Sequence, residues 1–308
     1  MNKKLKIIIF TLLALVALTF IIGWLKHSNV EVFNSAGSVG EKERNLMLFA
    51  LGLSLVVVIP VFVLLFSFAW RYREGNKKKA KYSPNLSGHW AAESVWWVIP
   101  TILITILSVV TWNSSHALDP YKQLASSKKT MTVEVIAMDW KWLFIYPDQH
   151  VASINQVYMP VNTPVRFVIT ADNAPMNSFW VPQLGGQIYA MPGMSTQLNL
   201  VANRTGDYHG SSANISGDGF SRMDFTVRAG SEQGFQSWIG NARQHPALTA
   251  QVYNQLIEPS EANAVNYYSD PADDLFEGAI LKYMLPETSH GPAYQVLPYD
   301  MHMDMGSM

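Results

Sequence analysis

Redox and metal chemistry require soft or imidazole donors at defined spacings, and this chain offers few. It contains no Cys, so no thiolate can bridge two metals and no disulfide can form. His27, His89, His116, His150, His209, His245 and His290 are scattered without ligand spacing, and no Ser/His/Asp arrangement or phosphate-binding loop stands out. The densest run of donors is Met301-His302-Met303-Asp304-Met305 near the C-terminus. Its thioethers and imidazole suit Cu(I), and the plainer reading is a disordered polar end. One carboxylate stands out by its place. Glu93 opens the apolar run ESVWWVIP, where partial desolvation favours the protonated form of a carboxyl group and fits it to gather protons. The alternative is an acid drawn to a helix N-terminus by the dipole. No residue is assigned a catalytic role, and no metal site is expected.

Three runs must position whatever chemistry there is. Residues 7–25, 46–70 and 94–112 carry no charged side chain, and each reaches roughly the twenty residues that cross a bilayer core. With 49% hydrophobic and 15% charged residues, the chain is too apolar for an average soluble domain. Lys3, Lys4 and Lys6 precede the first run, and Arg71, Arg73, Lys77, Lys78, Lys79 and Lys81 follow the second. Cytoplasmic loops retain such residues, so the N-terminus is expected inside and the C-terminal domain outside. The external parts are acidic in balance, which argues against nucleic-acid binding. An acidic outer face attracts basic proteins, but solubility explains it more simply.

The second and third runs are expected to pair as an antiparallel hairpin, bent at Pro60 and Pro100. Thr101, Thr105, Ser108 and Thr111 serve either interhelical contacts or bonds to their own helix. The first run reads as a retained anchor, with ordinary signal cleavage as the alternative. Lipoprotein processing needs a Cys that the chain does not have. Beyond residue 113 the pattern shifts to alternating stretches, TVEVIA, VRFVITA, TQLNLVA and MDFTVRA, that read as half-buried strands of a sandwich or barrel. FQSWIGNARQ, ALTAQVYNQLIE and DDLFEGAILKYM read as short amphipathic helices. The expected plan is a signal or anchor helix over 1–25, an external segment over 26–44, a membrane hairpin over 45–113, a β-domain over 114–230, a helical region over 231–290 and a Met-rich tail over 291–308.

Between residues 176 and 223 the chain reads MNSFWVPQLGGQIYAMPGMS and later YHGSSANISGDGFSRM. This frame resembles subunit II of the haem-copper respiratory oxidases, whose copper-bearing members place His in H-S-F-W-V-P and follow it with G-x-C-x-E-x-C-G-x-x-H-x-x-M. Laid onto that pattern, the first His falls on Asn177, the bridging Cys on Ser212 and Ser216, the Glu on Asn214 and the second His on Phe220. Only Met223 keeps a ligand type. A mixed-valence copper pair needs bridging thiolates and imidazoles; hydroxyls are hard, poor donors and a phenyl ring offers none. A pair of this kind is excluded.

In relatives that draw electrons from cytochrome c this pair is the entry port, so its loss implies another reductant, and the resemblance narrows to the cytochrome bo-type ubiquinol oxidases. YREGNKKKAKYSPN, ESVWWVIP, MDWKWLFIYP and LGGQIYAMPGM follow in the family's order over residues 44–228. The resemblance implies membrane α-helices followed by a periplasmic cupredoxin-like β-sandwich and short C-terminal helices, in a bacterial inner membrane. It implies a proton-pumping quinol oxidase in which subunit I holds two haems and one copper and takes electrons from ubiquinol, while this chain binds no cofactor. Subunit I and smaller membrane subunits are the implied partners, with lipid around them and cytochrome c not expected. Glu93 matches a position near a proton channel's entrance. Trp140 and Trp142, in MDWKW, are expected to pack, because the electron route that the Trp matching Trp140 serves in copper-bearing relatives leads nowhere here. Phe220, Met223 and Trp180 are expected to fill the former pocket, and Asn177, Ser212, Asn214 and Ser216 to hydrogen-bond one another. The alternatives from other classes are a free membrane-anchored cupredoxin-like binding module and, against the missing thiolates, a subunit of a cytochrome c oxidase.

Overall fold

The computed structural model describes residues 30–73, 88–261 and 263–284, with isolated positions between 12 and 23. The expectations for the first apolar run, for most of the basic loop and for the Met-rich tail lie outside the described residues. The described residues form two compact units, one spanning Lys42–Lys122 and the other comprising the flanking segments.

The first unit holds most of two long helices, α1 (Ser38–Arg71) and α2 (Trp90–Ala117). Both are long and apolar enough to cross a membrane, and neither apolar window is buried within the chain. Each continues as one element through its proline, Pro60 in α1 and Pro100 in α2. Of the two roles open to the α2 hydroxyls, the structure shows bonding to their own helix. Thr101, Thr105 and Ser108 donate to the carbonyls of Trp97, Thr101 and Ile104 at 2.7–2.8 Å. That satisfies the hydroxyl hydrogen without a neighbour and leaves the helix face able to meet lipid. α1 starts eight residues before its apolar run, because Glu, Lys and Arg in EKER sustain a helix nearly as well as Leu does.

The second unit is a β-sandwich. One sheet has strand order β11-β3-β2-β1-β5-β8 and the other β4-β10-β9-β6-β7. The strands are β1 (Met131–Met138), β2 (Lys141–Tyr146), β3 (Val151–Ile154), β4 (Gln156–Pro160), β5 (Val165–Ala171), β6 (Asn177–Trp180), β7 (Ile188–Ala190), β8 (Thr196–Leu200), β9 (Gly206–Ser212), β10 (Asp224–Gly230) and β11 (Asn266–Ser269). β1 pairs in parallel with β5 and β4 with β10, the remaining ladders being antiparallel. Between the sheets lies an apolar core that includes Val133, Val135, Trp142, Phe144, Phe167, Phe179 and Phe225.

A second core covers the other face of the larger sheet. Ile136, Met138, Leu143, Ile145 and Ile154 face Leu248, Tyr253, Leu275, Phe276 and Ala279, from the segment that holds α4 (Ala250–Leu256) and α5 (Leu275–Met284). α3 (Glu232–Ala242) is capped by Ser231, whose hydroxyl accepts from the Gly234 amide at 3.1 Å. Its Trp238 ring sits 5.0 Å from that of Tyr146. With both faces covered, β2 is buried at all six positions, and its sequence, KWLFIY, shows no alternation.

Candidate functional site

The positions that match copper ligands gather where β6, β9 and the loop after β9 meet. Asn177 begins β6 and Ser212 ends β9, both buried. The Ser212 hydroxyl donates to the Asn177 side-chain oxygen at 2.9 Å and shares its hydrogen with the Asn214 carbonyl at 3.2 Å. Asn177 in turn donates its amide to the Pro175 carbonyl at 2.9 Å, and Asn214 donates to that of Met176 at 3.4 Å. Backbone bonds from Ser212 to Met223 and from Ala213 to Ser178, at 3.4 and 3.0 Å, close the loop on both sides. The side chains of Asn177, Ser212 and Asn214 are therefore bonded to one another and to the backbone.

Ser216 stands apart from this group. Its hydroxyl is buried without a hydrogen-bond partner, while its carbonyl accepts from the Trp140 indole at 3.3 Å. The loop's path over Trp140 explains the separation. A Cβ at Gly219 would come within 2.4 Å of the indole, so the backbone lies directly on the ring and carries Ser216 toward Trp140. Phe220 is half-buried at the head of a 3₁₀ turn, Phe220–Arg222. Met223 is wholly buried in the inter-sheet core.

Trp142 is fully buried, its ring 5.5 Å from Phe179 and 5.6 Å from Phe225, and Phe179 stacks on Phe225 at 4.9 Å. Trp140 is half-buried and packs against the same core. Aromatic area thus occupies the interior beside β6 and β9. The donor set of two hydroxyls, two amides, a thioether and a phenyl ring does not fit a copper pair. Among the described residues no group of three or more His, Cys, Asp or Glu converges on a point.

The charged groups beside Trp140 are shifted mainly by burial. The Asp139 carboxyl is pushed up by burial, against the lowering effect of Lys141, and one of its oxygens is buried without a partner. The buried Lys141 ammonium is pushed down by burial, against the raising effect of Asp139 and Glu258. It donates to the Glu258 carbonyl at 2.8 Å and to the Ser260 hydroxyl.

Two further polar features escaped sequence reasoning. Asp172 is wholly buried and holds Lys282 at 2.8 Å, the Tyr253 hydroxyl at 2.7 Å and the Tyr283 hydroxyl at 2.9 Å. Glu134, on β1, is pushed up to about 7 by burial first and by Glu277 of α5 second. The pairing of LKY in α5 with a strand-end Asp more than a hundred residues away left no local signal. Glu134 sits at an outward position of TVEVIA, which marks its face but not its cover.

Glu93 lies in the first turn of α2, exposed in this chain. Its carboxylate accepts from the His89 backbone amide at 3.1 Å, and the His89 ring nitrogen Nδ1 accepts from the Ala92 amide at 3.3 Å.

Comparison with known proteins agrees with this architecture. Residues 148–230 match the family described as "Cytochrome C oxidase subunit II, periplasmic domain", and residues 243–287 match the "COX Aromatic Rich Motif". The chain is 43% identical over 260 residues to cytochrome bo(3) ubiquinol oxidase subunit 2 of Pseudomonas putida, covering 84% of this chain and 82% of that one. It is 45% identical over 267 residues to the subunit of that name from Pseudomonas aeruginosa, covering 86% and 80%. With ubiquinol oxidase subunit 2 of Acetobacter aceti it shares 42% identity over 278 residues, 88% and 90% of the two chains. The two apolar helices and the cupredoxin-like sandwich fit that likeness, and the chain belongs to the ubiquinol oxidase subunit 2 family.

Proposed function

We infer that this chain is the subunit of a membrane quinol oxidase that carries no redox centre of its own. The observation that carries the reading is the bond between Ser212 and Asn177, at positions where copper-bearing relatives hold a bridging Cys and a His. Groups bonded to each other over an aromatic core offer no ligand field for copper. Electrons from ubiquinol then pass directly to subunit I, whose two haems and one copper reduce oxygen to water. This chain supplies assembly and an outer cap.

The topology that accompanies this reading places α1 and α2 across the bacterial inner membrane and the sandwich in the periplasm. Unburied apolar windows on both helices need a cover, which subunit I, smaller subunits and lipid provide. Glu93 then stands at the cytoplasmic end of α2, where its carboxyl group delivers protons toward the entrance of a channel in subunit I.

The test is oxygen uptake by the complex purified through this chain. Ubiquinol-driven uptake with no response to reduced cytochrome c is expected, together with a haem-containing partner. A Glu93→Gln complex that assembles normally is expected to turn over more slowly, since Gln keeps the acceptor but cannot carry a proton. Cytochrome c activity would overturn the electron route, and normal turnover of Glu93→Gln would remove the proton role.

A further inference from the structure

We propose that His89 is the positioning residue for Glu93, holding its carboxylate in a reciprocal cap at the start of α2; the proposal rests on the proton-delivery reading of Glu93. Three contacts close the arrangement. The His89 Nδ1 atom accepts from the Ala92 amide at 3.3 Å, the His89 amide donates to Glu93 Oε1 at 3.1 Å, and the Glu93 amide donates to the His89 carbonyl at 2.9 Å. The carboxylate is so close to the incoming chain that a Cβ at Gly88 would come within 2.8 Å of Oε1.

A backbone amide can only donate, so Nδ1 of His89 must be the unprotonated ring nitrogen. The ring proton of the neutral imidazole is thereby placed on Nε2. The first helical amides have no partner within the helix, and here a side chain from each end of the turn satisfies one of them, as in a capping box. The halves are coupled. Without the imidazole, residues 88 and 89 lose their extended anchor, His89 having φ −144° and ψ 97°, and the amide that fixes the carboxylate moves with them. His is not among the side chains most favoured at this position, and Asn, which is, presents an oxygen to the same amide.

The experiment uses the whole complex, with assembly followed by its haem spectrum, and compares Glu93→Gln, His89→Ala, His89→Asn and the double variant His89→Ala/Glu93→Gln. His89→Ala is expected to lower kcat by at least about twofold and by at most roughly thirtyfold, the bound set by losing one cap, with KM for ubiquinol unchanged. His89→Asn is expected to restore it. The double variant should be no slower than Glu93→Gln alone, because a residue that acts through Glu93 has nothing left to position. Normal kcat in His89→Ala beside a slow Glu93→Gln would overturn the positioning role and leave the proton role intact. Failure of Asn to rescue, or an additive loss in the double variant, would overturn it as well. Normal kcat in Glu93→Gln would remove the proton-delivery reading itself, and the positioning role with it.

Discussion

The Ser212 hydroxyl lies 2.9 Å from the Asn177 side-chain oxygen, so the last residue of β9 is bonded to the first residue of β6. Both are buried, and the same hydroxyl faces the Ser178 amide at 3.4 Å. These bonds tie the loop after β9 to β6. Ser212→Ala would leave the Asn177 acceptor buried without that donor, which costs about 1–3 kcal/mol. A lowered thermal midpoint of the purified complex is the expected result, read from loss of the β-domain's circular dichroism.

Asp172 should fasten the C-terminal helices to the sandwich. Its carboxyl group is wholly buried and bound to Lys282, so Lys282→Met removes the cationic partner of a buried acid. Breaking a buried pair from one side costs about 3–5 kcal/mol, and somewhat less here because Lys282 keeps partial exposure. Limited proteolysis is expected to reach residues 270–284 well before the sandwich in the variant and not in the parent.

Glu134 is expected to make the β-domain sensitive to pH in the neutral range. Its folded pKa of about 7 lies above the ordinary value of 4.5 because burial, and then Glu277, disfavour the charge. The sign follows from linkage: the stabilising contribution is complete below pH 4.5 and is lost as pH rises to 7 and beyond. Glu134→Gln removes a charge that the fold disfavours. The variant is expected to be more stable than the parent at pH 8 by on the order of 1–2 kcal/mol, after allowance for solvent screening at a partly exposed carboxyl. At pH 4 the two should converge. Unfolding in urea at both values checks it.

Gly219 should tolerate no side chain. A methyl group there would stand 2.4 Å from the Trp140 indole, and the ring would have to leave the loop and its bond to the Ser216 carbonyl. Overpacking of this kind costs about 1–3 kcal/mol. Gly219→Ala is expected to shift tryptophan fluorescence to longer wavelength as Trp140 becomes wetter; an unshifted spectrum would show that the loop gives way instead.

The sequence made some of this legible for identifiable reasons. TVEVIA and VRFVITA alternate, and they form β1 and β5, the parallel pair of the larger sheet. KWLFIY does not alternate because helices cover its outer face, so the strand was hidden inside an aromatic motif. NSFW and GDYHGSS are too short and too mixed to show a period, yet they form the floor of the site. The motif names which residues to compare, and the structure brings only some of them together. Asn177, Ser212 and Asn214 meet, whereas Ser216 is drawn away by Trp140, a contact across 76 positions of sequence. Asp172 with Lys282 was invisible for the same reason, since neither neighbourhood announces a partner so distant.

Copper content of the complex purified through this chain tests the central claim most directly, read against haem in the same sample. The account predicts one copper for every two haems, all of it in the partner subunit, and no near-infrared band of a mixed-valence copper pair. Three coppers for every two haems, with that band present, would contradict it.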